Sequence, residues 1–204
     1  MDLRGKLIGT PVSRETVAKL ERYSTLLIEE NERQNLISRR SANELWNRHL
    51  LDSAQLLRLA PKDASWLDIG SGAGLPGMVL AILGVRSVTL VEPRRLRTDF
   101  LQRCIAELQL DNVEVVTAKA ETLQRRYDVI TARAVASVED IFSLGERLTT
   151  ASSHWVLPKG RSAAKELEEA RATWQGDIRL EPSLTDPEAR ILVASGVKRK
   201  AGRG

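Results

Sequence analysis

The chain has 204 residues and a net charge of +4, with 31 Lys and Arg against 27 Asp and Glu. This length suits one sizeable domain whose core needs no disulfide or metal, and a single cysteine, Cys104, excludes an internal disulfide or a cysteine-based metal cluster. No apolar run reaches the roughly 18–20 residues that span a bilayer, and the N-terminus lacks the apolar core of a signal peptide. We therefore expect a cytoplasmic protein.

Arginine dominates the basic residues, since eight of the 31 are lysine and the other 23 are arginine. The planar guanidinium group pairs well with phosphates and base edges, which favours an anionic partner such as nucleic acid. A genome rich in G and C, whose codons favour arginine, accounts for the same counts. Charge alone does not decide between the two explanations.

Two helices are predicted in the first part of the chain. Apolar residues recur at helical spacing over residues 14–30, and Ser13 is a suitable N-cap. A second helix is predicted to begin after Ser41 or Asn43 and to end before Pro61. We expect its buried face to consist of Leu45, Trp46, Leu50, Ala54 and Leu57.

Beyond these helices, strands alternate with helices, which predicts a parallel sheet covered on both faces. The predicted strands are residues 65–69, 87–91, 113–117, 127–132, 153–157, 178–184 and 189–194. The predicted helices between them are residues 75–83, 96–108, 138–148 and 163–174. The last two strands leave no room for a helix between them, so a hairpin should place one antiparallel strand near the edge of the sheet.

The predicted fold class is therefore α/β. We expect a Rossmann-like class I methyltransferase fold, which is a mostly parallel, doubly wound sheet of seven strands with one antiparallel strand. Residues 1–62 are assigned to an N-terminal helical extension and residues 63–197 to the cofactor-binding domain. Residues 198–204 are predicted to form a basic disordered tail.

A glycine-rich loop follows the first strand of the predicted sheet, in the sequence WLDIGSGAGLPG. Glycines at 70, 72 and 74 let the backbone turn sharply and approach a ligand at the carboxyl end of the strands. A nicotinamide-binding loop has its third glycine one place later, where this chain has Leu75. Asp68 would repel a pyrophosphate but attract the amino group of a methionine moiety. The loop therefore favours S-adenosyl-L-methionine over NAD, with Gly70 and Gly72 contacting it; a glycine-rich turn without a ligand is the alternative.

Other candidate cofactor residues follow the next three strands. Glu92 can accept hydrogen bonds from ribose hydroxyls, although Pro93 also makes it a plausible acid at a helix N-terminus. The backbone of Ala120 and Glu121 follows the third strand, where the adenine should lie, and Glu121 could instead cap a turn. Arg133 closes the fourth strand and points to the shared crevice, or is a surface arginine.

Five segments together resemble one known family. They are NLIS at 35–38, RHLLDS at 48–53, GSGAGLPG at 70–77, TARAVAS at 131–137 and LPKG at 157–160. They resemble the 16S ribosomal RNA guanine-N7 methyltransferase G family, also called glucose-inhibited division protein B. The resemblance implies methylation of N7 of the guanine numbered 527 in 16S rRNA, free or in the 30S subunit. It also implies cofactor contacts at Gly70, Leu75, the Ala120–Glu121 pair and Arg133.

The reaction that the resemblance implies needs little acid–base chemistry. Guanine N7 carries a free lone pair at neutral pH, so it can attack the sulfonium methyl without a general base, and positioning should supply most of the acceleration. His49 and Asp52 are spaced like a dyad, but a packed, hydrogen-bonded histidine is the favoured interpretation. Cys104 should pack inside a helix, and no metal site is expected.

RNA contacts are predicted at Arg39, Arg40 and Arg48 in the N-terminal extension and at Lys159 near the end of the fifth strand. The target should be single-stranded or looped RNA, because N7 is hidden in the deep groove of an RNA helix. We expect a monomer that binds no membrane. Two alternatives are a small-molecule methyltransferase with the N-terminal helices as its lid, and a protein that holds cofactor and RNA without catalysis.

Overall fold

The computed structural model describes residues 6–7, 10–42 and 44–201. A short hairpin of β1 (Lys6–Leu7) and β2 (Thr10–Pro11) precedes helix α1 (Arg14–Gln34). The side chain of Ser13 accepts the backbone N–H of Thr16 at 3.0 Å, which confirms the predicted N-cap. The helix continues four residues beyond the predicted end.

The second predicted helix is right in position but is not one regular α-helix. Leu45, Leu50 and Ala54 are buried as predicted, whereas Trp46 and Leu57 are partly buried. A π-helix widens this region where the RHLLDS segment lies. π-helical turns are rare in proteins, and those that occur are often found at functional sites. In place of one helix, this region of the chain has helix α2 (Arg39–Ala42), a π-helix (Trp46–Leu51), helix α3 (Asp52–Ala54) and a 3-10 turn (Gln55–Arg58). The proposed start at Asn43 lies outside the described residues.

Seven strands form the main sheet, as predicted. Their order across the sheet is β5-β4-β3-β6-β7-β9-β8, and β9 runs antiparallel to β7 and β8, whereas the other neighbouring strands are parallel. This arrangement confirms the doubly wound sheet with one antiparallel strand near an edge. The strands are β3 (Ser65–Ile69), β4 (Ser87–Val91), β5 (Val113–Val116), β6 (Val129–Thr131), β7 (His154–Lys159), β8 (Trp174–Pro182) and β9 (Arg190–Arg199).

Helices cover both faces of the sheet and bury two apolar clusters. On one face Leu20 and Leu27 of α1 pack in the same cluster as Met78 and Leu101, so the N-terminal extension shares its core with the sheet domain. On the other face the rings of Phe142 and Trp155 lie 4.9 Å apart. The remaining helices are α4 (Gly77–Ile82), α5 (Arg95–Leu108), α6 (Val138–Gly145) and α7 (Ala163–Thr173). None of the helices in the described ranges is long and apolar enough to cross a membrane.

The C-terminal strands are longer than predicted, which corrects the start of the disordered tail. Trp174 opens β8 instead of ending α7, and Lys198 and Arg199 belong to β9. The Arg199 guanidinium lies 4.5 Å from the centre of the Trp174 ring, and the two residues pair across the strands. This stacking and the strand pairing order a segment whose composition alone suggested disorder. Residues 202–204 of the predicted tail lie outside the described residues.

Candidate functional site

The glycine loop follows β3 at the carboxyl edge of the sheet. Gly70, Gly72 and Gly74 have φ angles of 66°, 53° and 89°, in the left-handed region that side chains with a Cβ rarely adopt. The amide of Gly70 donates to the carbonyl of Val91 at 2.8 Å, which ties the loop to the end of β4. A Cβ on Gly70 would lie 2.8 Å from Cγ2 of Val135, in the loop after β6. The positive φ and the close approach of Val135 therefore favour glycine at position 70.

Asp68 lies in β3, two residues before the first glycine of this loop. Its side chain has no exposed surface, and Oδ2 accepts the amide N–H of Gly77 at the start of α4 at 2.9 Å. Burial raises the pKa of Asp68 to about 7. Oδ2 thus ties the residue to α4, whereas Oδ1 is buried without a hydrogen-bond partner among the described residues, and a contact with the amino group of a ligand stays a prediction.

Glu92 ends β4 directly under the glycine loop. The residue is 3% exposed; Oε2 accepts the amide of Gly72 and Oε1 accepts the amide of Arg94, each at 3.0 Å. The guanidinium of Arg97 is 3.5 Å from Oε2. The carboxylate thus lies both at the glycine loop, as the ribose prediction requires, and just before α5, as the alternative requires. The ribose contact itself stays a prediction.

The remaining predicted cofactor residues differ in how much surface they offer. Leu75 is 4% exposed and its side chain packs in the core, so little of it is available to a ligand. Ala120 begins a 3-10 turn after β5, and Glu121 is exposed beside it. The carbonyl of Glu121 accepts a hydrogen bond from Arg147 at 2.7 Å. The ends of β3, β4 and β5 thus bring the loop, Glu92 and the Ala120–Glu121 pair to one edge.

Arg133 follows β6 and connects this edge to the N-terminal π-helix. Its Nη1 lies 2.9 Å from Nδ1 of His49, 3.4 Å from the carbonyl oxygen of Arg48 and 3.8 Å from Oδ2 of Asp52. Burial, helped by the charges of Arg133 and Arg48, lowers the pKa of His49 to about 4. His49 is therefore neutral and accepts a hydrogen bond from Arg133. The prediction of a packed, hydrogen-bonded histidine, as opposed to a His–Asp dyad, is confirmed.

A cavity of about 830 Å³ opens beside Arg133. Its walls come from the π-helix region, the loop after β6, the end of β7 and the β8–β9 connection. Ten charged residues, five of each sign, line it, which makes the cavity strongly polar. They are Glu44, Arg48, Asp52, Arg133, Lys159, Arg161, Glu166, Asp186, Glu188 and Arg190. Sequence reasoning missed the β8–β9 connection, whose Pro and Asp residues indicate only a turn.

The residues predicted to contact RNA differ in exposure and in their protein partners. Arg48 is nearly half exposed at the cavity, with Glu44 at 3.8 Å. Lys159 is 8% exposed, and its Nζ lies 2.9 Å from Oε2 of Glu166 and 2.7 Å from the carbonyl oxygen of Ala136. Its ammonium thus already has two protein partners, and a contact with an RNA phosphate stays a prediction. Arg39 and Arg40 belong to α2, and their side chains are outside the described part of the structure.

Metal chemistry finds no support at this site. Among the residues that the structure describes, no group of three or more His, Cys, Asp or Glu side chains is arranged to hold a metal ion. Cys104 is buried in α5, and burial raises its pKa to about 12. The thiol is thus protonated at neutral pH and is no nucleophile.

Comparison with known proteins adds sequence relatives along most of the chain. The family described as GidB, rRNA small subunit methyltransferase G, matches residues 16–186. Ribosomal RNA small subunit methyltransferase G of Zymomonas mobilis is 45% identical over 205 residues, covering 94% of this chain and 92% of the relative. The protein of the same name from Rhizorhabdus wittichii is 46% identical over 198 residues, covering 95% and 91%.

Solved structures with low sequence identity share the fold. The ribosomal protein L11 methylase of Lactobacillus delbrueckii superposes with a TM-score of 0.57 at 16% identity, covering 76% of this chain and 79% of its own. TYW2 of M. jannaschii, solved in complex with AdoMet, gives 0.55 at 12% identity, covering 74% and 76%. These similarities confirm the class I methyltransferase fold.

Proposed function

We propose that this chain, which belongs to the rRNA small subunit methyltransferase G family, methylates N7 of guanine 527 in 16S rRNA. Family membership confirms the predicted methyltransferase class and its cofactor, S-adenosyl-L-methionine. The choice of guanine, of its position and of N7 rests on the five sequence segments that resemble the family. The structure supports this choice through the arrangement around Arg133.

The observation that carries the proposal is that one short loop separates the cofactor edge from the polar cavity. Val135 packs against Gly70 of the glycine loop, while Arg133, Ala134 and Ala136 line the cavity. A methyl donor at the glycine loop and a base in the cavity would therefore be neighbours. The sulfonium of S-adenosyl-L-methionine supplies a methyl group that a lone pair can take without any metal or redox step.

The residues around the cavity suit a reaction that is governed by positioning. His49 is neutral, and Arg133 occupies the Nδ1 atom that a general base would use. N7 needs no base, so the enzyme has only to hold the purine with its lone pair in line with the methyl group. The methylated purine is cationic, and a carboxylate such as Asp52 beside it would stabilise the developing charge.

The packing of α1 bears on the alternative of a small-molecule enzyme with a helical lid. Leu20 and Leu27 of this helix are fully buried in the same core as Met78 of α4. Opening α1 as a lid would expose this apolar surface, at about 1.5–3 kcal/mol for each large side chain. The polar cavity also suits a nucleotide better than an apolar metabolite, so the rRNA substrate is favoured.

The test is a transfer assay with purified protein and S-adenosyl-L-methionine. Protein-free 16S rRNA, assembly intermediates and 30S subunits are compared side by side, with a metabolite mixture as the control. We expect N7-methylguanosine by nucleoside mass spectrometry, mapped to position 527 by chemical cleavage at the modified base. Absence of N7-methylguanosine from every ribosomal substrate, or transfer to metabolites alone, would overturn the proposal.

A further inference from the structure

Asp52 is held by one carboxylate oxygen and offers the other to the cavity. Its Oδ1 accepts hydrogen bonds from Nε2 of Gln55 and from Oγ1 of Thr185, each at 2.8 Å. The side chain is one-fifth exposed and lines the cavity. No hydrogen bond from a described residue reaches Oδ2, whose nearest cation is Arg133 at 3.8 Å. Oδ2 is thus the oxygen that is available to a ligand.

A buried glutamine fixes the direction of this carboxylate. Gln55 is fully buried; besides Asp52 its Nε2 bonds Oγ of Ser183 at 3.0 Å, and its Oε1 accepts the amide of Leu184 at 2.8 Å. These bonds join the N-terminal extension to the β8–β9 connection. A carboxylate held from two elements is preorganised, which lowers the cost of ordering it when a ligand binds.

The other cavity carboxylates are worse placed. Glu166 is 2.9 Å from the ammonium of Lys159, and Glu188 forms an ion pair with Arg161. Glu44 is more than half exposed and lies 3.8 Å from Arg48. Asp186 accepts the amide of Glu188 on Oδ1 at 2.9 Å. Among these acids, Asp52 lies beside Arg133, in the wall that adjoins the glycine loop.

We propose that Asp52 is the specificity-determining residue, with Oδ2 accepting hydrogen bonds from N1–H and the 2-amino group of the target guanine. Guanine presents these two donors side by side, whereas adenine presents a lone pair at N1 that a carboxylate repels. Hydrogen bonds from neutral donors to a carboxylate are among the strong ones. N7 lies on the opposite edge of the purine, so holding N1 and the 2-amino group leaves N7 free for the methyl group. This inference rests on the proposed function.

The decisive experiment compares guanosine with inosine at the target position of reconstituted 30S subunits. Inosine keeps N7 and N1–H but lacks the 2-amino group. We expect the wild-type protein to methylate guanosine about tenfold faster than inosine in single-turnover assays, because one hydrogen bond to a charged acceptor is lost. Equal rates on the two substrates would overturn the assignment.

The second part of the experiment uses the variant Asp52→Asn. It keeps an oxygen for Gln55 and Thr185 but turns Oδ2 into an N–H donor that opposes N1–H. We expect kcat/KM on guanosine to fall tenfold or more, the guanosine-to-inosine ratio to fall towards one, and the cofactor Kd to stay unchanged. The matched control, Glu44→Gln, also removes a cavity carboxylate and should keep the wild-type ratio.

The outcomes separate this inference from the proposed function. N7-methylation by the wild-type protein with an unchanged ratio in Asp52→Asn would refute the role of Asp52 and leave the function standing. No N7-methylation of guanosine by the wild-type protein would refute the function itself. If Asp52→Asn does not fold, equal wild-type rates on guanosine and inosine still refute the inference.

Discussion

Substituting alanine for Gly70 tests whether the glycine loop binds the cofactor. At a φ of 66° an L residue is strained by about 1–2 kcal/mol, and the new Cβ would lie 2.8 Å and 3.1 Å from the two γ carbons of Val135. Val135 is 40% exposed, so its side chain can move at modest cost. We expect the melting temperature to fall by about 2–8 °C.

The effect on cofactor binding should be larger than that on folding. The new Cβ points at Val135, so either this side chain or the backbone of the glycine loop must shift, and a shift of the loop changes the surface that we expect to bind the cofactor. We expect Kd for S-adenosyl-L-methionine to rise about tenfold or more, which corresponds to about 1.4 kcal/mol. Isothermal calorimetry measures Kd, and thermal unfolding followed by circular dichroism measures the stability loss on the same samples.

Gly196→Ala is the matched control. Gly196 lies in β9 at a φ of 59°, and a Cβ there meets nothing within 4 Å, so this variant carries the backbone strain without a new contact. It should lose similar stability and keep the wild-type Kd. Adding Val135→Ala to Gly70→Ala removes the γ carbons and should recover part of the affinity. An unchanged Kd in Gly70→Ala, or an equal rise in Gly196→Ala, would refute the placement of the cofactor.

Three further substitutions test the neighbouring residues. Glu92→Ala should raise the cofactor Kd tenfold or more in calorimetry, because the ribose hydroxyls lose an acceptor; an unchanged Kd would leave Glu92 as a support for Gly72 only. Arg133→Ala should lower the single-turnover methylation rate tenfold or more while costing about 1 kcal/mol in urea unfolding, and an unaltered rate would contradict its role. For His49, the lowered pKa means that between about pH 6.5 and 4 the unfolded chain binds a proton that the folded chain does not, so stability is lost as pH falls through this window. In the wild-type protein this loss between pH 7 and 4.5 should reach at most about 2.4 kcal/mol, and it should be missing from His49→Asn in urea unfolding at the two pH values. Equal losses in both proteins would contradict the assignment.

Local pattern was enough to place most elements of the sheet. The predicted bounds of β3 and β4 match the structure residue for residue, because a buried apolar run that ends in glycine or in an acid is defined by neighbours in the chain. The glycine spacing likewise favoured S-adenosyl-L-methionine over NAD, and the positive φ angles at 70, 72 and 74 are a property of the local backbone. The family came from short segments and needed no coordinates.

The charged residues were decided by tertiary structure. Lys159 looked free for phosphate in the sequence, but the fold brings Glu166 and the carbonyl of Ala136 to its ammonium. Asp68 gave no sign in the sequence of its full burial, which comes with a hydrogen bond to the amide at the start of α4. A charged side chain has the same sequence pattern whether it meets water or a partner, and only the packing of distant segments determines which it meets.

The cavity beside Arg133 is the clearest example of a feature that only the tertiary structure determines. Gln55 bonds Ser183 across 128 positions of sequence, and Thr185 reaches Asp52 from a turn that carries no motif. The sequence by itself determined the alternation of strands and helices, the glycine loop and the methyltransferase family, because these depend on residues close together in the chain. Only the folded chain, by joining its N-terminal helices to its last hairpin, gave Asp52 one bonded oxygen and one oxygen open to a base.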